Sequence, residues 1–208
     1  MGRRRRLSLF VLLCQAGLLA VFVVGLAAGR ISVVVNAALS FLVTLLPAVL
    51  RRDLRIQLSP WQTAFVSLAV FLHAVGMLGP YSNVWWWDHV THTLSAMVVA
   101  GVGYTVVCAA DEHSPSVAFS RRRVPVYVFA FTMLMGVVWE GLELGARVVA
   151  AALDVPVIWV VYGPTDTAFD MLFNAVGALI VALFGTPYLQ DTVEDVREWL
   201  DRRAGAGE

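Results

Sequence analysis

Apolar residues run along this chain in long blocks, without the short alternation of a half-buried strand. A bilayer core ~30 Å thick is crossed by about 20 apolar residues in a helix. Six blocks suit that length: Leu7–Ala28, Ile31–Leu50, Gln62–Gly79, His89–Ala110, Pro125–Ala150 and Thr167–Pro187. The pattern predicts an all-α, polytopic transmembrane bundle of six spans. It is read as a single domain over residues 1–190, followed by a charged tail over 191–208 that forms a short amphipathic helix or stays solvated. Arg3–Arg6 before the first block imitate a signal peptide. The apolar run that follows, about 22 residues, exceeds the ~7–15 of an ordinary signal core and shows no clear cleavage motif. It is read as a retained helix, with Gly29 and Arg30 turning the chain into the second block.

Composition supports the membrane reading. The chain is 59% hydrophobic and 14% charged, with a mean hydropathy of +0.76. Soluble domains carry about 45–50% apolar and ~25% charged residues. Cys14 and Cys108 fall in different apolar blocks with no partner spacing, which suggests neither a disulfide framework nor a zinc site.

Net charge is zero, but the charges are unevenly placed. All fifteen basic residues are Arg, and thirteen fall at Arg3–Arg6, Arg51, Arg52, Arg55, Arg121–Arg123, Arg197, Arg202 and Arg203. Basic residues mark the cytoplasmic side. Six spans with both termini cytoplasmic put all thirteen inside, leaving only Arg30 and Arg147 outside. The expected location is the cell membrane, multi-pass. The Arg runs sit at membrane edges, so no nucleic-acid partner is expected. Trp85, Trp86 and Trp87, just before the fourth block, match the aromatic belt of the interface. The longest outer connection, 151–166, holds an apolar stretch, Val155–Tyr162. Pro156 and Gly163-Pro164 argue against a regular span there, so it is expected to lie in the interface or fold back as a lid.

Ionisable side chains inside a membrane are costly and mark function by default. Here they gather in the last four spans: His73; Asp88, His89 and His92 in WWWDHVTHTLSA; Glu140, Glu143 and Arg147 in WEGLELGAR; Asp166, Asp170 and Asn174 in DTAFDMLFNAVGA. The predicted orientation puts them all in the outer half. At 1.5 Å per residue, His73 lies ~9 Å deep, Glu143 ~10 Å, Asn174 ~10–12 Å and Glu140 ~15 Å. Spacings of three, four, seven and eight place each group on one helix face. Ser95, Ala96, Gly136, Gly141, Gly177 and Ala178 are small enough to let helices approach. The expectation is an acidic, His-containing pocket open to the exterior.

Carboxylates and imidazoles on facing helices build metal sites in bundles. The expected ligands are His92, Glu140, Glu143 and Asp170, with Asp88, Asp166 and His89 either as further ligands or as their hydrogen-bonding neighbours. Such an oxygen-rich set suits Zn, Mn or Fe better than Cu(I). Against this, the chain has Glu-x-x-Glu in place of the di-iron Glu-x-x-His, and it lacks HExxH. Plainer readings compete residue by residue. Glu143 and Arg147 pair along one helix. Asp88 and Asp166 cap helices. His73 packs with a hydrogen bond, Asn36 bonds a neighbouring helix, and His113 is solvated. These leave unexplained why Glu140, Asp170 and His92 share a depth.

WDHVTHTLSA, WEGLEL and DTAFDMLFNAVGA together resemble the YjdF-like family of small, functionally uncharacterised prokaryotic membrane proteins. In that family an Asp-x-x-x-His string, a paired-Glu span and an Asp-x-x-x-Asp-x-x-x-Asn helix follow in this order. The resemblance covers about Gln62 to Pro187 and maps onto Asp88, His92, Glu140, Glu143, Asp166, Asp170 and Asn174. It implies that these residues act as one set, and it implies no activity.

Three functions stay open. The first is an intramembrane metal-dependent enzyme acting on a lipid or small molecule. In it the metal activates water or polarises the substrate, Asp88 or Asp166 serves as base, and Asn174 orients the substrate. The second is an ion- or proton-coupled transporter, disfavoured because the inner half of the spans is almost free of ionisable groups. The third is a structural or assembly protein without catalysis. Oligomeric state is not legible.

Overall fold

The computed structural model describes residues 2–113, 120, 122–155, 157–158 and 163–205. Every described element is helical. In chain order they are α1 (Arg3–Ala27), α2 (Ile31–Val49), a π turn (Leu50–Leu54), α3 (Pro60–Gly76), the one-turn α4 (Pro80–Asn83), α5 (Trp87–His113), α6 (Val124–Leu153), α7 (Pro164–Phe184) and α8 (Thr186–Gly205). Five segments are long and apolar enough to cross a membrane: Arg3–Ala27, Ile31–Leu54, Trp87–His113, Val124–Leu153 and Thr165–Phe184. The third expected span is the short one. At 17 residues α3 reaches about 25 Å on a rise of ~1.5 Å per residue.

The stops and starts have local causes. The chain reverses after α1 because Gly29 adopts φ +66°, the left-handed region that glycine enters without cost. There the Arg30 amide bonds back to the Gly25 carbonyl at 2.9 Å. The π turn ends where Arg55 takes a left-handed conformation. A capping box opens α3: the Gln62 amide donates to Ser59 Oγ at 3.2 Å, and the Ser59 amide donates to Gln62 Oε1 at 2.6 Å. Pro60 fills the first helical position, where its missing N–H is not needed. That signal moves the start two residues ahead of the apolar block.

Helices α1, α2 and α3 pack on one another; α5, α6 and α7 form a second trio; α3 meets α5 between them. Bare glycines set the closest approaches. A Cβ on Gly177 of α7 would fall 2.5 Å from the Thr93 carbonyl oxygen and 2.8 Å from Ala96 Cβ on α5. Gly136 likewise makes room on α6 for Asn174, whose amide nitrogen lies 2.9 Å from the position a Cβ would take. Gly141, also expected at an interface, faces open space.

The residues expected to form a charged tail form α8, and it is docked. It begins at Thr186, within the expected sixth span, which itself ends at Phe184. Gln62 donates to the Tyr188 carbonyl and to Thr192 Oγ1, the Gln57 amide donates to Asp195, and Arg202 donates to the Leu54 carbonyl. His113 is not simply solvated, since its Nδ1 lies 2.5 Å from Asp201 on α8. The arginines around the π turn and on α8 thus share one end of the bundle. At the other end Arg30 donates to the Met77 and Leu78 carbonyls. Of the stretch Val155–Tyr162, residues 156 and 159–162 lie outside the described residues, as do 114–119 of the α5–α6 connection.

Candidate functional site

The site is built at the end away from α8. Trp87 at the start of α5 donates its indole N–H to the Leu72 carbonyl of α3 at 3.3 Å. It fits there because Gly76 leaves space for the Trp87 and Tyr81 rings. This anchors the first turns of α5 against α3. Asp88 and His92, one turn apart, then lie together, with His92 Nε2 3.5 Å from Asp88 Oδ1. The Gly177 crossing presses α7 onto the same part of α5. It brings Asp170, only 3% exposed, to 3.5 Å from His92 Nε2. One ligand atom from each of Asp88, His92 and Asp170 lies within 4.8 Å of the others.

A cavity of about 610 Å³ opens beside this trio, lined from α2, α3, α4, α5, α6 and α7. Glu143, Asp166 and Asn174 line it with Asp88, His92 and Asp170. Six of the seven residues singled out in the sequence therefore meet on one cavity wall. Glu140 is the exception. It is not among the lining residues, yet its Oε1 is buried and has no hydrogen-bond partner among the described residues. Glu143 accepts a hydrogen bond from Trp139 one turn earlier, and no ion pair joins it to Arg147 among the described residues. Asp88 and Asp166 sit in the first turns of α5 and α7. Neither is the N-cap, although a first-turn carboxylate still suits the helix dipole.

A second polar chain borders the cavity. The Asn36 amide nitrogen donates to the Ser32 and Ile158 carbonyls. Its oxygen therefore accepts from His73 Nε2 at 3.1 Å. That leaves His73 Nδ1 to accept from the Tyr81 hydroxyl at 2.8 Å, which lies 3.3 Å from Thr91 Oγ1. His73 and Asn36 are thus packing residues hydrogen-bonded across helices, as their isolation in apolar blocks suggests. Tyr81 was not legible, because α4 is a single turn between Gly79 and Val84 with no periodicity to read. His89 points away from the cavity and stacks on Phe173, ring centroids 4.3 Å apart and planes 10° apart.

The donor set can be tested against a metal. A tetrahedral site with bonds of ~2.0–2.2 Å puts neighbouring ligand atoms about 3.3–3.5 Å apart. Both His92–carboxylate distances are 3.5 Å, long for a charge-assisted hydrogen bond of ~2.7–2.9 Å. Asp170 Oδ1 is buried without a hydrogen-bond partner among the described residues, and a buried polar atom left so is costly. One imidazole and two carboxylates whose ligand atoms all lie within 4.8 Å of one another, beside an open cavity, are a donor set of the types that Zn, Mn or Fe takes.

No curated protein and no solved structure matches the chain. A family model described as a predicted membrane protein, DUF2238, matches residues 9–191. The match takes in most of the first long apolar helix, all of the other four and the cavity residues, well beyond the stretch that carried the resemblance in the sequence. With its apolar helices and this match, the chain is an integral, multi-pass membrane protein and belongs to the DUF2238 family of predicted membrane proteins.

Proposed function

We propose that this protein is an intramembrane metal-dependent enzyme whose ion is held by Asp88, His92 and Asp170. The observation that carries the reading is the convergence of one ligand atom from each of Asp88, His92 and Asp170 within 4.8 Å, with Asp170 Oδ1 buried and without a hydrogen bond among the described residues. Glu140 and Glu143, expected as ligands from the sequence, come second. Glu140 has its own unpartnered buried oxygen, and Glu143 is already engaged by Trp139. A bound divalent ion would supply Lewis-acid polarisation or an activated water. Asp166, on the cavity wall, is positioned to accept a proton there. Asn174, held against Gly136, is positioned to orient a substrate carbonyl or hydroxyl.

The proposed topology has six spans, with α3 as the short one and both termini cytoplasmic. The arginine-rich end is then the inner one, and the cavity serves the outer leaflet. A transporter needs polar groups leading on to the opposite end. Toward that end the cavity lining is mainly apolar, with Val43, Val66 and Val99, and the hydroxyl of Thr132 there is bonded back to the Val128 carbonyl, which favours a one-ended site.

Metal content of protein purified in detergent without chelators tests the proposal. The wild type is expected to carry an equimolar transition metal that His92→Ala and Asp170→Asn lose. An exposed α8 substitution, Glu194→Gln, serves as the control and keeps it. A wild type without metal, or equal content in all variants, overturns the reading.

A further inference from the structure

We infer that the cavity takes a membrane-borne amphiphile, with an apolar chain and a head bearing hydroxyl or amine and no phosphate, and that it enters sideways between α2 and α6. This deepens the reading of the same site. It rests on the cavity and its acidic end, and not on the presence of an ion.

Sideways access follows from the packing. α2 belongs to the first trio and α6 to the second, and the two do not pack along each other. Leu39 and Val43 of α2, with Val138 and Leu142 of α6, all line the cavity. All four are also exposed, Leu39 at 48% and Leu142 at 52%. A side chain that is both cavity wall and outer surface marks an opening. At this height the surroundings are hydrocarbon, so the opening leads into the bilayer.

The lining is graded along the membrane normal. Asp88, Asp166, Asp170, Glu143, His92 and Tyr81 gather at the end away from α8, while the deeper part is mainly valine, with Thr132 bonded back to its own helix. From Asp88 to Val99 the α5 backbone rises about 16 Å at ~1.5 Å per residue. That is the layout of a lipid in one leaflet: polar group near the surface, chain toward the midplane. The volume of about 610 Å³ falls within the ~300–1,000 Å³ of ligand sites.

Charge selects the head. Four carboxylates line the cavity, and among the described residues no arginine does. Arg30 is spent on the Met77 and Leu78 carbonyls, and Arg147 is exposed and outside the lining. A dication on Asp88 and Asp170 would be balanced by those two carboxylates. An anionic head therefore finds no cationic side chain among the described lining residues to pair with. A hydroxyl or ammonium finds acceptors.

Photolabelling in nanodiscs of neutral lipid tests this with three probes: hexadecanol, hexadecylamine and hexadecanoic acid, each carrying a mid-chain diazirine. Alcohol and amine are expected to label α2 and α6 at the opening and Val70 or Val99 within. The acid should label these positions about tenfold less, the size of a ~1.4 kcal/mol penalty. The double variant Leu39→Trp/Leu142→Trp, altered only at exposed positions, should lose most labelling of Val70 and Val99. Labelling by the acid at the level of the alcohol, undiminished labelling in the double variant, or labelling confined to outward positions such as Leu13 and Leu183 overturns the inference. The head preference is also expected in His92→Ala protein. Absence of metal and absence of amphiphile binding are then read separately.

Discussion

His92 Nε2 on α5 and Asp170 Oδ1 on α7 stand 3.5 Å apart, and that oxygen has no hydrogen-bond partner among the described residues. The relationship depends on one close helix crossing. Gly177 lets the Thr93 carbonyl of α5 approach to where a Cβ would lie, and Asp170 sits two turns earlier on the same helix.

Two acids with orphaned oxygens should therefore behave differently. Asp170 is within reach of His92, whereas Glu140 lies outside the cavity lining. Asp170→Asn is expected to weaken metal retention by more than the ~10–100-fold typical of losing an outer-shell partner. Glu140→Gln should fall within that range. Chelator titration of the purified variants reads both. A larger effect from Glu140→Gln would move the ion toward Glu140 on α6.

The Gly177 crossing predicts a stability effect independent of any ligand. Gly177→Ala puts a methyl 2.5 Å from a backbone oxygen, which cannot rotate away. Overpacking of this kind costs roughly 1–3 kcal/mol, and Gly177→Val should cost more. Thermal unfolding in detergent should show lower midpoints in that order. Gly141→Ala, whose Cβ meets open space, should leave the midpoint unchanged or raise it, because alanine is the better helix former. An equal drop at both glycines would remove the crossing from the account.

These contrasts show what was legible in the sequence. Long apolar blocks and arginine placement give the helices and the end at which the polar residues gather, because hydrophobic length and charge asymmetry are one-dimensional signals. Helical spacing puts Asp88 with His92, and Asp166 with Asp170 and Asn174, on shared faces. It cannot say which faces meet. That depends on where a missing Cβ allows two backbones together, so Gly177 at a contact and Gly141 in the open look alike in sequence. Glu140 and Glu143 share the depth and helix face expected of ligands, and Glu143 lines the cavity, but the three ligand atoms that converge include Asp88, which spacing alone places equally well as a helix-dipole partner. Tyr81 lies in a single turn, and α8 looked like a tail because a strongly charged segment carries little hydropathy signal.

The Asn36–His73 pair permits a double-mutant cycle. Asn36 is buried, and its oxygen accepts from His73 at 3.1 Å. Interhelical hydrogen bonds in membranes average ~0.6 kcal/mol of coupling, with a ceiling of ~1.7. Asn36→Leu, His73→Phe and the double variant, compared by unfolding, should give coupling within that span. Additive losses would mean that the contact contributes nothing to stability.

The docking of α8 separates packing from charge. Its exposed ion pairs, Arg197–Asp201 at 3.6 Å and Arg202–Glu198 at 3.5 Å, belong to a class worth only ~0–1 kcal/mol and screened by salt. Val193, by contrast, is 4% exposed. Burying an unpaired carboxylate there costs several kcal/mol, so Val193→Asp should release the helix. Limited trypsin digestion reports on this, since Arg197, Arg202 and Arg203 lie on α8. Val193→Asp is expected to be cut much faster than wild type at any ionic strength. Asp201→Asn, which removes the partner of both His113 and Arg197, should be cut slightly faster at low salt and like wild type at high salt. If Asp201→Asn were the more sensitive of the two, α8 would be held by its charges, and the apolar contact at Val193 would be incidental.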